Sequence, residues 1–246
     1  MEHFIGLDVS LKETAISIRQ NGARIWRGRC LSDPAAIAAI LRERAPDAKR
    51  VVFETGPLST WFFHALTAEG MPAICIDARH AKAALDMASN KTDAKDADGL
   101  AHLAEVGFYR EVRVKQYDSM LSRTLVRARS QLLKISTELS NQILGIMKTF
   151  GLIVAKGAGR VFEANVHERL DRNDALRRIV LPLLEAWRSI RTQAATTDRQ
   201  IVAQARSSER CQLLMTIPGI GAVIASSFVA AIEEPENFTN SRSVGA

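Results

Sequence analysis

The sequence has 246 residues, 47% of them hydrophobic and 24% charged, and a net charge of +6, which suits one large or two modest globular domains with a real core. No apolar run approaches the roughly 18 to 20 residues that span a bilayer, and "MEHFIGLDVS" has neither the basic start nor the apolar stretch of a signal peptide, so the expectation is a cytoplasmic protein with no membrane partner. Cys30, Cys75 and Cys211 are too far apart and odd in number for a disulfide framework or a zinc ribbon.

The first third alternates between strands and helices. "HFIGLDVS" is a short apolar run ending in Asp8 and Ser10, the pattern of a buried strand. "ETAISIRQ" and "ARIWRGRC" flank an Asn21-Gly22 pair, a strong hairpin signal, which makes three successive antiparallel strands. Asp33 and Pro34 open "DPAAIAAILRER" as N-cap and first helical residue. "RVVFETG" is a fourth strand with Glu54 at its end, "LSTWFFHALTAEG" an amphipathic helix closed by Gly70, and "MPAICID" a fifth strand. A helix near 78–88 and a second, acidic one running to about Leu103 complete a mixed α/β layer.

The middle third has a helical period. Leu121, Leu125, Ala128, Leu132, Ile135, Leu139, Ile143, Ile146 and Phe150 fall in steps of three and four along one seam. "GLIVAKGAG" interrupts it, and a second run over roughly 175–206 carries Leu184, Trp187, Ala194, Ile201 and Ala205. An antiparallel helical pair, or half of an intermolecular bundle, is expected. The last part reads as a helix, a "PGIG" turn, a helix and an acidic loop; the chain then stops as "SRSVGA" begins another element, which reads as a truncation. The expected domains are 1–108, 109–206 and 207–246. Their net charges are −1, +9 and −2, with residue 109 uncharged. A basic middle third suits a nucleic-acid partner, and suits a solvated helical region equally.

The stretch "NKTDAKDADGL" places Asp93, Asp96 and Asp98 within six residues, although like charges at i and i+3 on a helix repel. Two readings are open: a solvated helix start, or carboxylates sharing a metal ion. Asp8 and Glu54 end the first and fourth strands. If those strands are neighbours and the acidic helix crosses their edge, Asp8, Glu54, Asp93 and Asp96 converge. Such a cluster is unstable without cations, and its hard oxygen donors suit Mg²⁺ or Mn²⁺ in a site for phosphoryl transfer.

"FIGLDVS", "FETGPLSTWFFHAL", "DARHAKAALDMASNKTDAKDADGLAHLA" and "LLMTIPGIGAVIASSFVAAI" closely resemble the DEDD transposases of the insertion-sequence 110 family, the bridge-RNA-guided recombinases related to pilin-gene invertases. The resemblance covers almost the whole chain in order. It implies an N-terminal RuvC-like domain of RNase-H-like fold, with Asp8, Glu54, Asp93 and Asp96 as the D-E-D-D metal ligands. It also implies a coiled-coil segment that oligomerises, as a dimer or tetramer, and helps hold DNA and guide RNA. In the family a later C-terminal segment supplies a serine nucleophile that joins to DNA; Ser226, Ser227, Ser241 and Ser243 precede that position and none takes the role.

Lesser candidates are Arg123, Arg127 and Lys134, a phosphate-facing stripe or the solvated face of a coiled coil. Gly219 and Gly221 make either a helix-hairpin-helix phosphate contact or a plain helical turn. Trp61, Phe62 and Phe63 at helical spacing read as core. The function expected is Mg²⁺-dependent DNA strand cleavage and transfer. Two rivals are a non-catalytic nucleic-acid-binding or oligomerisation fragment and a resolvase-like nuclease using metal-activated water.

Overall fold

The computed structural model describes residues 2–85, 93–155, 157–171, 173–238 and 240; the side chains of 84, 85, 93–95 and 237 are not among what it describes. The chain divides into two units, Met1–Lys115 and Gln116–Ala246.

In the first unit β1 (His3–Val9), β2 (Glu13–Gln20) and β3 (Ala23–Leu31) form an antiparallel meander. The Asn21-Gly22 turn has positive φ at both residues, 51° and 79°, as a two-residue hairpin whose twist matches its strands requires. Asp33 caps α1 (Pro34–Arg44) by accepting from the Ala35 N–H. Then follow β4 (Ala48–Glu54), α2 (Ser59–Ala68), β5 (Ala73–Ile76), α3 (Ala78–Leu85) and α4 (Asp93–Val106). The sheet order is β3-β2-β1-β4-β5, with β1, β4 and β5 parallel. This is the mixed α/β class expected.

Alternation along the strands sorts their side chains between two cores. Ile5, Leu7, Ile16, Ile18, Val51 and Phe53 pack with Ile37 and Leu41 of α1 and with Phe62 and Leu66 of α2, all essentially inaccessible. The Phe53 and Phe62 rings meet edge to face at 5.8 Å, a favoured aromatic geometry. On the opposite face Val52 and Ile76, with Phe4 at the margin, pack on Leu100, Leu103 and Ala104 of α4. Of the aromatic trio in α2, Phe62 is core and Phe63 packs at its edge, whereas Trp61 is 51% exposed and lies outside it. One helix face cannot turn three consecutive residues inward, so the expectation that all three are core is corrected for Trp61.

The second unit holds α5 (Tyr117–Thr149), α6 (Arg160–Leu170), α7 (Asp174–Ser207), α8 (Glu209–Met215) and α9 (Ala222–Ile232). Helix α6 is an element that the sequence reading passed over. Ile143 and Met147 of α5 share a core with Leu176, Val180, Leu184 and Trp187 of α7, while Arg129 pairs with Asp198 further along. Rising numbers on one helix thus meet falling numbers on the other, and the pair is antiparallel. The α7 seam is as expected: Leu184, Trp187, Ala194, Ile201 and Ala205 are all buried. The α5 seam is covered fully only at Ile143; Leu121 and Phe150 are 47% and 61% exposed. One partner helix leaves part of the α5 seam open, and the shared core is extended where α6 adds Phe162, Val166 and Leu170. Among the described residues no helix is long and apolar enough to cross a membrane.

Candidate metal and nucleic-acid site

Asp8 and Glu54 are placed by strand register. Leu7 of β1 pairs with Phe53 of the parallel β4, so the next residue on each strand, Asp8 and Glu54, stands level at the same edge of the sheet. Parity decides the face. Leu7 and Phe53 point to the α1–α2 core, so Asp8 and Glu54 emerge on the side covered by α4. Both are half-buried.

Helix α4 lies against β1 because Gly6 lets it approach. A Cβ at Gly6 would stand 2.2 Å from the Ala97 carbonyl oxygen and 2.3 Å from the Ala101 nitrogen, so only a glycine fits beneath that turn. Ala97, Leu100, Ala101 and Ala104 form the buried stripe of α4. The helix runs counter to β1, with Ala97 over Gly6 and the later Leu100 and Leu103 in the cluster that Phe4 borders. Its N-terminal turn therefore sits at the strand ends that carry Asp8 and Glu54. Asp96, half-buried, is in that turn. Asp93 is the first residue of α4, but its side chain lies outside the described residues.

Asp98 faces the other way. It accepts from Ser17 Oγ at 2.9 Å and pairs with Arg19 Nη1 and Arg24 Nη1, each at 3.5 Å. Glu105, two turns later on the same flank, accepts from Arg19 Nε at 2.9 Å and from the Gly22 N–H at 2.6 Å. Burial alone would raise the Glu105 carboxyl, yet the Gly22 and Arg19 hydrogen bonds outweigh it and the pKa is lowered. Sequence reasoning missed this flank. Its signal is in β2, where Ser17 and Arg19 alternate with Ile16 and Ile18 and so mark a face that needs polar partners.

Among the described residues, no three His, Cys, Asp or Glu side chains form a group that could hold a metal ion. Asp8 and Glu54 share one edge and one face of the sheet, Asp96 lies in the helical turn nearest that edge, and carboxylates are hard oxygen donors that fit Mg²⁺ better than a soft cation. Beside them a cleft of about 260 Å³ is lined by Val9, Ser10, Leu11, Phe53, Glu54 and the Gly56–Ser59 segment. Its rim hydroxyls are engaged locally, Ser10 donating to the Glu13 carbonyl and Ser59 to the Gly56 carbonyl. Behind it, burial pushes the Cys75 thiol up to about 11, which a Ser59 hydrogen bond only partly opposes.

In the second unit Arg127 and Lys134 are exposed and Arg123 is half-buried. Lys134 lies 3.9 Å from Glu138 one turn on, a weak surface pair that a phosphate could displace. Gly219 has φ +88 and Gly221 is the N-cap of α9, with no side-chain cap. No Lys or Arg occurs between 211 and 241, and Arg210 donates to the Glu233 carbonyl. Ser226 is buried, and Ser227 Oγ donates to the Val223 carbonyl at 2.7 Å.

Residues 5–151 match the family model of the IS110 DEDD transposases (DEDD_Tnp_IS110, Transposase), and residues 211–246 match the Transposase IS116/IS110/IS902 family. The transposase for insertion sequence element IS1111A of Coxiella burnetii is 27% identical over 200 residues, covering 80% of this chain and 54% of its own length. The putative transposase y4pF/y4sB of Sinorhizobium fredii is 30% identical over 160 residues, 63% of this chain and 41% of its own. The chain thus spans about half the length of the curated relatives it matches. A RuvC structure from Thermus thermophilus aligns over 45% of this chain and 99% of its own at 13% identity, with a TM-score of 0.34.

Proposed function

The chain belongs to the IS110 family of DEDD transposases, and on that footing we propose that it carries the metal-binding part of a DNA strand-cleaving and strand-transferring site. Asp8, Glu54, Asp93 and Asp96 are the proposed ligands of Mg²⁺, with Mn²⁺ as a substitute. When bound, the cation would supply Lewis-acid stabilisation of charge on the scissile phosphate. Asp8 and Glu54 contribute fixed donors, because Asp8 stands one residue before the end of β1 and Glu54 ends β4, both strands lying inside the sheet, and Asp93 and Asp96 contribute donors from a helix seated on Gly6.

The observation that carries this reading is the level placement of Asp8 and Glu54 on adjacent parallel strands, on the face where the acidic turn of α4 begins. The nucleophile is proposed to be the serine of the family's C-terminal segment. Ser226 and Ser227 are turned inward or engaged on α9, which makes them poor substitutes. DNA, a guide RNA and further copies of the chain are the proposed partners. The basic 110–206 segment, including Arg123, Arg127 and Lys134, is the proposed electrostatic contact, with the Gly219–Gly221 turn as a lesser one. The proposed domain bounds remain 1–108, 109–206 and 207–246.

The test is incubation of the protein with transposon-end DNA, with and without guide RNA and Mg²⁺, followed by denaturing gels. Covalent protein–DNA product, lost in Asp8→Asn and Glu54→Gln, is the expected result when the serine-bearing segment is supplied. Free nicked DNA without an adduct would favour hydrolysis by metal-activated water. Binding without any cleavage would favour the non-catalytic reading, and cleavage indifferent to both substitutions would overturn the proposed ligand set.

A further inference from the structure

The acidic helix carries a carboxylate that faces away from the proposed ligands, and its partners identify a separate task. Successive residues of an α-helix are about 100° apart. With Ala97 directly over Gly6, Asp96 and Asp98 therefore diverge to opposite flanks of α4. The Asp96 flank also carries Leu100 and Leu103, which pack on Val52 and Ile76. The Asp98 flank carries Glu105, and together these two acids grip Arg19 of β2 from two turns of the helix. Ser17 holds Asp98 from the same strand and Arg24 from the next.

The geometry points to Asp98 as a positioning residue: the Asp98–Arg19–Glu105 clasp, with Ser17 and Arg24, sets the roll of α4 about its axis and so the aim of its N-terminal turn toward Asp8 and Glu54. This rests on the reading of Asp93 and Asp96 as metal ligands. The alanines at 97, 101 and 104 fix how closely α4 approaches the sheet, and Leu100 and Leu103 brace its roll on one flank only, so the Asp98 flank needs a hold of its own. Side-chain tips lie about 5 to 6 Å from a helix axis, so a roll of ~20° moves a carboxylate by about 2 Å. That is a whole Mg²⁺–oxygen bond length. The arginines also neutralise Asp98, which keeps a further negative charge from adding to those at the sheet edge.

The experiment is thermal melting of the full chain against Mn²⁺ concentration, since a cation that binds only the folded state raises the melting temperature by mass action. Wild type is compared with Asp98→Ala, with Asp98→Asn (which keeps an acceptor for Ser17), with Asp8→Asn, and with Ile37→Val as a control that loosens the core remote from α4. The expected result is a Mn²⁺ midpoint raised at least tenfold in Asp98→Ala, less in Asp98→Asn, and unchanged in Ile37→Val at a comparable loss of metal-free stability. A midpoint equal to wild type in both Asp98 variants, with the response abolished in Asp8→Asn, overturns the clasp and leaves the ligand reading standing. A wild type that does not respond, or an Asp8→Asn variant that responds fully, overturns the ligand reading and the clasp with it. Should Asp98→Ala not fold, Asp98→Asn decides alone.

Discussion

Replacing Gly6 with alanine is a severe perturbation for a single methyl group. The new Cβ would stand 2.2 Å from the Ala97 carbonyl oxygen and 2.3 Å from the Ala101 nitrogen. Both are backbone atoms of a helix and neither can swing aside. Restoring an ordinary contact of 3.4 Å requires α4 to retreat by about 1.2 Å. Overpacking of this kind costs about 1–3 kcal/mol. A gap of up to ~1 Å forfeits a quarter to a half of each dispersion contact, which for Leu100 and Leu103 against Val52 and Ile76 adds roughly 1–2 kcal/mol. The expected loss is therefore about 2–5 kcal/mol, against the 5–15 kcal/mol of a typical domain. The assay is hydrogen exchange read by mass spectrometry on peptides from β1 and α4, because it reports the first unit by itself. Protection of those peptides within ~0.5 kcal/mol of wild type would mean that α4 is not seated on β1, and both the site geometry and the clasp would fall.

Gly145, by contrast, lies within α5, where an added Cβ would meet nothing within 4 Å, so Gly145→Ala should stabilise the second unit by about 0.5–1 kcal/mol; a loss in urea midpoint would refute the open space assigned there. Glu105 has a lowered pKa, so its stabilisation is present above the ordinary carboxylate value of 4.5 and is lost as pH falls through its folded value. Glu105→Gln should thus lower the urea midpoint at pH 7, with a deficit that shrinks as the pH falls below 4.5, whereas a deficit of constant size down to the acid limit of folding would sink the assignment. The buried Cys75 thiol, near 11, should resist alkylation at pH 8.5 in the folded protein while the half-buried Cys30 reacts; mass-mapped labelling that finds Cys75 first would show β5 to be less well seated than described.

What was legible in the sequence is what local chemistry decides. Asn21-Gly22 announced a hairpin, Asp33-Pro34 a helix start, and the spacing of Leu184, Trp187, Ala194, Ile201 and Ala205 the inner face of α7, because each signal lies within a few residues. Helix α6 has a legible signal too, since Phe162, Val166 and Leu170 recur at every fourth residue, but the glycine-rich stretch before it masks a short helix as a plain break. The α5 seam is apolar as its period indicates, yet period does not say how much partner surface is available, and so Leu121 and Phe150 remain exposed.

The proposed site divides along the same line. That Asp8 and Glu54 end strands follows from the sequence, whereas their standing level depends on the parallel pairing of Leu7 with Phe53, 46 residues apart. Asp98 looks, in the sequence, like one more acid in a crowded helix start. Its task is set by Arg19, 79 residues away, and no periodicity connects them. Gly6 carries the same lesson inside the motif itself. Within "FIGLDV" a glycine reads as a weak point in a strand, but it is the residue that admits the Ala97 turn, and with it the acidic end of α4, to the edge where Asp8 emerges. A chain that kept all four acids and lost Gly6 would therefore keep the motif and lose the geometry on which the proposed chemistry depends.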